Sequence, residues 1–216
     1  PYDLKKMGHN TAESMHLMIE AERRSYADRS HFLGDPDFVS VPQAHLIDTS
    51  YTAERMSSYS PEKATLSSEV SHGDIIVVES DETTHFSIVD KDGNAVSVTT
   101  TLNGAYGSKV FVDEIGVFMN NEMDDFSIKP GTENGYGLIG YNANAIEPGK
   151  RMLSSMTPTF LESDRGFVIL GTPGGSRIIS MILLSALDWV NGGDAKSMVS
   201  LPRFHHQYHP DYVLYE

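Results

Sequence analysis

At 216 residues the chain has the size of one large domain, and 39% hydrophobic with 21% charged residues sets it among soluble folded proteins, outside the disordered class. A net charge of -14 excludes a nucleic-acid-binding role, because little basic charge is available to neutralise phosphates. The absence of cysteine excludes a disulfide framework and thiol chemistry, and the longest apolar run, Ile178 to Val190, is too short and interrupted to span a bilayer.

Along the chain, Asn10 followed three residues later by Glu13 predicts a capping box opening a helix. Met15, Met18, Ile19 and Tyr26 then recur at helical spacing as core positions, and Gly34-Asp35-Pro36 closes the segment. A shorter helix is expected after Ser50. From Ser57 to Glu82 the composition turns to Ser, Glu, Pro and Lys, broken by Ile75-Ile76-Val77-Val78. That composition predicts a mobile linker, and an ordinary surface loop fits it equally well.

At Thr83-Thr84 the pattern switches to strand. Phe86 and Ile88 alternate with polar neighbours, Asp90 to Asn94 form a turn, and Val96 and Val98 alternate again, which predicts a hairpin. A hydroxyl residue at the junction of a polar segment and a strand has a specific chemical use. If the chain is cut before Thr83, the new α-amino group, with a pKa of roughly 7.7–8.0, sits on the same residue as the hydroxyl and can take its proton. The plain alternative is that two β-branched residues simply start a strand.

Val110 to Met119 reads as further strand broken at Asp113 to Gly116, and Lys129 to Gly140 as loop. Asn120-Asn121-Glu122-Met123-Asp124-Asp125-Phe126 brings carboxylates after a strand, suited to a cationic group or to simple solvation; the spacing matches no EF-hand. Phe160-Leu161 and Phe167 to Leu170 flank a Ser-Asp-Arg-Gly turn as a second hairpin. Gly171-Thr172-Pro173-Gly174-Gly175-Ser176 then leads into a helix to Val190 that is apolar on most faces and expected to be buried. Its glycine amides suit an oxyanion hole, although a tight turn needs the same glycines; the loop lacks the lysine and spacing of a phosphate loop. Gly192-Gly193-Asp194 ends that helix and caps a last short one. Hairpins followed by a buried helix predict an α+β fold with helices packed on antiparallel sheets. His205, His206, His209 and Asp211 form a cluster for which a metal site is the minority reading.

Thr83-Thr84-His85-Phe86-Ser87, Asp92-Gly93-Asn94-Ala95-Val96, Asn120 to Phe126, Leu153-Ser154-Ser155-Met156 and Gly174-Gly175-Ser176-Arg177 together resemble the γ-glutamyltranspeptidases, which are N-terminal-nucleophile hydrolases. The likeness runs over nearly the whole chain, in order and spacing. It implies a four-layer αββα sandwich, incomplete here, and self-cleavage before Thr83. Residues 1–82 would then end a large subunit and 83–216 form most of a small one, the chain being an internal piece of a longer protein.

The resemblance further implies Thr83 as nucleophile, Thr101 orienting it, and Gly174 and Gly175 holding the oxyanion. Asn103, Glu122 and Asp125 would bind the donor's α-amino group. Ser154 and Ser155 would bind its α-carboxylate, with an arginine supplied from outside this chain. Met152 stands where the family commonly has proline. His85 is expected to pack or hydrogen-bond and not to act as base. The implied activity is transfer of a γ-glutamyl group from glutathione or a similar donor to water or to an amino acid or peptide amine. It needs no cofactor and no metal, takes the rest of the large subunit as partner, and belongs to a periplasmic or secreted protein. The competing readings are a sister acylase acting on poly-γ-glutamate or a cephalosporin side chain, and a non-catalytic or metal-binding module.

Overall fold

The computed structural model describes residues 2–70 and 83–215. The Ile75 to Val78 patch and the Glu82 side of the expected cut therefore lie outside the described residues. In chain order the elements are α1 (Leu4–Met7), α2 (Ala12–Phe32), α3 (Gln43–Leu46), α4 (Thr49–Arg55), β1 (Thr83–Val89), β2 (Ala95–Thr101), β3 (Phe111–Val112), β4 (Val117–Phe118), β5 (Thr159–Ser163), β6 (Gly166–Leu170), α5 (Ile178–Val190) and α6 (Ala195–Ser200). Short 3₁₀ turns and two-residue strands at Phe204–His205 and Leu214–Tyr215 complete the set. The mixture of helices and antiparallel hairpins is the α+β class expected.

Two compact units divide these residues. The first takes the described residues up to Val70 together with Phe126–Leu153 and His205–Leu214; the second takes those from Thr83 to Asp125 and Ser154–Phe204.

The first unit is organised on α2. Its N-cap is Thr11, whose Oγ1 accepts from the Ser14 N–H at 3.2 Å, so the cap falls one residue after the expected Asn10 and is a single side-chain cap in place of the expected capping box. Asn10 itself has φ 50° and precedes the cap. The helix also departs from an apolar stripe. Leu17 and Tyr26 are buried as core, but Met15, Met18 and Ile19 are only half-buried, while Glu20, Glu22, Arg23 and Arg24 are buried. Burial of these charges on one helix is tolerable because each has oppositely charged or hydrogen-bonding partners. Glu20 accepts from Arg24 Nη1 at 2.7 Å, from the Thr65 N–H at 2.9 Å and from the Thr65 hydroxyl at 2.6 Å. Burial opposes ionisation of Glu20, yet the bonds from Thr65 and Arg24 and the charge of Arg23 hold its pKa below the ordinary value.

The same contacts correct the reading of residues 57–70 as a mobile linker. His16 Nε2 bonds the Ser60 carbonyl at 2.8 Å, and Ser67 is 1% exposed, bonded to the Tyr208 carbonyl at 2.5 Å. Polar composition marks a pinned polar segment as readily as a free one. α4 starts one residue before Ser50, because Asp48 Oδ1 accepts from the N–H groups of Ser50 and Tyr51.

The second unit is built on hairpins. β1 and β2 pair antiparallel with Thr83 opposite Thr101, His85 opposite Thr99 and Val89 opposite Ala95. The register is closed at the far end by Asp90, whose Oδ1 accepts from the N–H groups of Asp92 and Asn94, both at 2.9 Å. β5 and β6 form the second expected hairpin, with Thr159 opposite Leu170. α5 follows and buries Ile178, Ser180, Ile182 and Leu184. Leu183 and Val190 stay exposed, so this helix packs by one flank among the described residues rather than on most faces. Asp194 caps α6 in a capping box with Ser197.

Candidate active site

Alternation along β1 and β2 sorts their side chains onto two faces. One carries Thr83, His85, Ser87, Ser97, Thr99 and Thr101; the other carries Phe86, Ile88, Val96 and Val98. The first face is thus lined by hydroxyls, with Thr83 at its end. Thr83 Oγ1 stands 3.4 Å from Thr101 Oγ1, longer than an ideal O–H···O bond but close enough for one hydroxyl to orient the other. His85 fills the next step, its Nδ1 bonded to Thr99 Oγ1 at 2.9 Å and its Nε2 to Ser87 Oγ at 3.0 Å. Burial lowers the His85 pKa, and with both nitrogens engaged the ring supports the strand face, as expected.

Thr101 Oγ1 also accepts from the Asn103 N–H at 2.9 Å. Asn103 is 4% exposed and lies in the left-handed region with φ 73°, a conformation asparagine adopts more readily than most residues. It turns the chain away from β2 and carries its amide to the Asn121 carbonyl at 3.2 Å. Asn121 is the residue that sequence reasoning missed. Its N–H donates to the Leu102 carbonyl at 3.0 Å and its Oδ1 accepts from the Gly104 N–H at 2.9 Å. Three bonds therefore fasten the acidic 3₁₀ turn Glu122–Asp125 to the Thr83 end of the hairpin. Asn120 Oδ1 caps that turn through the Glu122 N–H at 3.0 Å. The Asn-Asn pair before the carboxylates was the available signal, since asparagine side chains bond nearby backbone in turns.

The glycine loop comes to β1 by close approach. A Cβ on Gly171 would fall 1.9 Å from His85 Nδ1, so any side chain there would displace the His85 ring. Ser97 Oγ reaches the Leu170 carbonyl at 3.5 Å just before it. The loop then passes through Gly174 (φ 134°, buried) and Gly175 (φ 54°), both in the region that favours glycine, and enters a 3₁₀ turn leading into α5. Backbone N–H groups at such a helix entry lack an intrahelical acceptor. Ser154 and Ser155 are less tightly drawn in. Ser154 is exposed and its Oγ accepts from the Met156 N–H at 3.1 Å, and the Ser155 carbonyl accepts from the Thr157 hydroxyl at 2.8 Å. These bonds shape the loop locally and do not themselves carry it to Thr83.

In the first unit, the histidine cluster is occupied by protein partners. His206 Nε2 lies 3.3 Å from Asp211 Oδ1, Asp211 is ion-paired with Arg23, and His205 Nε2 bonds Gln207 Oε1 at 2.9 Å. Among the described residues no group of three or more His, Asp or Glu is arranged to hold a metal ion.

The whole chain, residues 1–216, matches the family model described as Gamma-glutamyltranspeptidase, and the chain belongs to that family. It is 49% identical over 212 residues to the glutathione hydrolase proenzyme of Pseudomonas sp. (strain A14), and 47% identical over 212 residues to that of Escherichia coli (strain K12). Each match covers 97% of this chain and 37% of the relative, so the chain spans a little over a third of the curated relatives' length. Among solved structures, a mutant of Helicobacter pylori gamma-glutamyltranspeptidase matches with a TM-score of 0.58 at 50% identity, over 60% of this chain and 71% of that one.

Proposed function

We propose that the protein containing this chain transfers γ-glutamyl groups, from glutathione or another γ-glutamyl compound, to water or to an amino acid or peptide amine. The observation that carries the reading is the run Thr83–Thr101–Asn103–Asn121, which gathers a strand-initial hydroxyl, an orienting hydroxyl and an acidic turn at one end of one hairpin. Processing comes first. The Thr83 hydroxyl attacks the carbonyl of residue 82, the peptide nitrogen leaves as the α-amine of Thr83, and water opens the resulting ester. Residues up to 82 then end a large subunit, and residues from 83 begin the small one. The mature fold of this reading is the four-layer αββα sandwich, completed by the rest of the large subunit as partner.

In turnover the freed α-amino group accepts the Thr83 hydroxyl proton as the oxygen attacks the donor's γ-amide carbonyl. Gly174 and Gly175 amides stabilise the tetrahedral oxyanion. The amine leaves with the proton, and a γ-glutamyl ester on Thr83 remains for water or an acceptor amine. Asn103, Glu122 and Asp125 bind the donor's α-ammonium, where charge-assisted bonds are strongest. Ser154 and Ser155 bind its α-carboxylate. No step needs a cofactor. A periplasmic or secreted location fits this reading, and no described helix is long and apolar enough to cross a membrane.

Incubating full-length protein briefly with a γ-glutamyl anilide and mapping the adduct by peptide mass spectrometry tests the proposal. The expected result is anilide release, faster than from a glutaryl anilide, with the acyl group on Thr83 of a chain that begins there. An adduct elsewhere, or preference for the glutaryl compound, would overturn it.

A further inference from the structure

The first compact unit is assembled from both sides of the Thr83 bond. Its core takes Leu17, Tyr26 and Val70 from before that bond and Phe126, Ile139 and Tyr208 from after it. Two ionic groups join the same two sides. In one, the Arg23 guanidinium pairs with Asp211, and Asp211 Oδ2 also accepts from the Ser67 N–H at 2.7 Å. Glu22 Oε2 takes the His206 N–H at 2.9 Å beside them. In the other, Arg151 donates from Nε to Asp35 Oδ2 at 3.0 Å, from Nη2 to Asp35 Oδ1 at 2.6 Å and from Nη2 to Asp37 Oδ2 at 2.5 Å. The Arg151 N–H adds a bond to Asp35 Oδ2 at 2.9 Å. A bidentate, backbone-supported pair of this kind fixes position as well as charge.

We infer that these two groups, Arg23–Asp211–Ser67 and Arg151–Asp35–Asp37, are clasps that hold the two cleavage products together once the covalent link before Thr83 is gone. The inference rests on the cut proposed above. While the chain is whole, the partners are tethered and meet at high effective concentration. After the cut the same contacts become the junction between two separate molecules, and their loss can release one from the other. Arg23 is buried, so neutralising Asp211 leaves its charge only the longer pair to Glu20, at 3.6 Å, which Glu20 already shares with Arg24. Arg151 is well exposed and its clasp is the weaker, although the Asp35 side chain it holds is almost fully covered.

The test uses full-length protein. Asp211→Asn, Asp35→Asn and the double variant are made both in the self-cleaving protein and in an uncut Thr83→Ala chain, and the separation of pieces is followed by native mass spectrometry over a dilution series. In the cut protein, Asp211→Asn is expected to weaken association by roughly thirtyfold or more, Asp35→Asn by less, and the double variant by more than either. The uncut chains are expected to stay folded and monomeric. Cut double variant that remains associated like wild type would overturn the clasps while leaving the processing reading intact. Uncut double variant that itself unfolds would assign the ion pairs to folding and also overturn them. Wild-type protein that stays one chain would overturn the processing reading and this inference with it.

Discussion

In the first unit, Glu20, Glu22, Arg23 and Arg24 on α2 are each less than a tenth exposed, and the polar segment around Thr65 and Ser67 is tied onto them. In the second, the reverse holds. Phe86, Ile88 and Val96 on one hairpin and the stacked Phe160 and Phe167 on the other are each close to half exposed, and an open groove of about 670 Å³ runs between β6 and the helices α5 and α6. The first unit draws its specificity from directional partners: buried charges tolerate few arrangements, and each missing partner is costly. The second draws its order from strand register, with its polar face carrying the candidate chemistry and its apolar face of a composition that proteins ordinarily cover. Substitutions should accordingly act on chemistry in one unit and on cohesion in the other.

The sharpest separation comes from Thr83→Ala. Full-length protein carrying it should remain one chain and lose γ-glutamyl anilide hydrolysis by a factor on the order of 10⁴ or more, with its urea midpoint close to wild type. Two pieces on a denaturing gel would break the assignment of Thr83. Arg23→Met should do the opposite. It leaves Asp211 and Glu20 short of a cation and is expected to cost about 3–5 kcal/mol in urea unfolding, with the residual folded protein still binding donor. An unchanged midpoint would mean that the charges on α2 are not the cohesive element.

The pH dependence of stability offers a third test. His206 is buried, and burial, followed by the nearby Arg23 charge, pushes its pKa down to about 4 against the upward pull of Asp211, with His205 also opposing its protonation. Its Nδ1 accepts from the Tyr208 N–H at 3.1 Å, so the neutral ring carries its proton on Nε2, toward Asp211. Between about 4 and the ordinary value near 6.5 the unfolded chain binds a proton that the folded one refuses. This contribution is complete above the ordinary value and is lost as pH falls through that window, a change of up to about 3 kcal/mol. Asp211, held down to about 2 by Ser67 and Arg23 against the opposing effect of its own burial, adds a further loss only below about 4. Equilibrium unfolding across pH 7 to 4 should show the slope, and His206→Gln should flatten it; a variant with the same slope would assign the effect to other groups.

The smallest effect is expected from Asp125→Ala. Loss of one charge-assisted bond to the donor's ammonium should cost on the order of 1.5–3 kcal/mol in kcat/KM, with the unfolding midpoint unmoved. Unaltered donor kinetics would remove Asp125 from the site.

Much of the second unit was legible because strand alternation and glycine loops are local signals. The hairpins at Thr83–Thr101 and Thr159–Leu170 lie where alternation puts them, and Gly174 and Gly175 adopt the backbone their residue type permits. The first unit was legible only in outline. Apolar spacing places α2 but cannot find that it buries Glu20, Arg23 and Arg24, since their partners are Thr65, Ser58 and Asp211, dozens of residues or more away. Composition likewise cannot tell a bound Ser67 from a free one. The cap at Thr11 was missed for a smaller reason: Asn10 and Thr11 are both good capping residues, and only the bond to Ser14 decides between them. For the site, Asn121 was marked only by the Asn-Asn pair; its joining of two segments depends on the left-handed turn at Asn103, which no local pattern shows.

The Asp90 turn lies seven residues from Thr83, roughly 20 Å along the ladder, yet it governs which side of the hairpin Thr83 occupies. Side chains alternate with each residue, so the matter is one of parity. Adding or removing a single residue between Thr84 and Asp90 would carry Thr83 from the hydroxyl-lined face to the face of Phe86 and Ile88, with every backbone bond still formable. A change of two would restore the side while shifting Thr83 past Thr101 to a new opposite number. The hairpin therefore counts: its length is readable as an even or odd number, and that number decides whether Thr83 shares a face with Thr101.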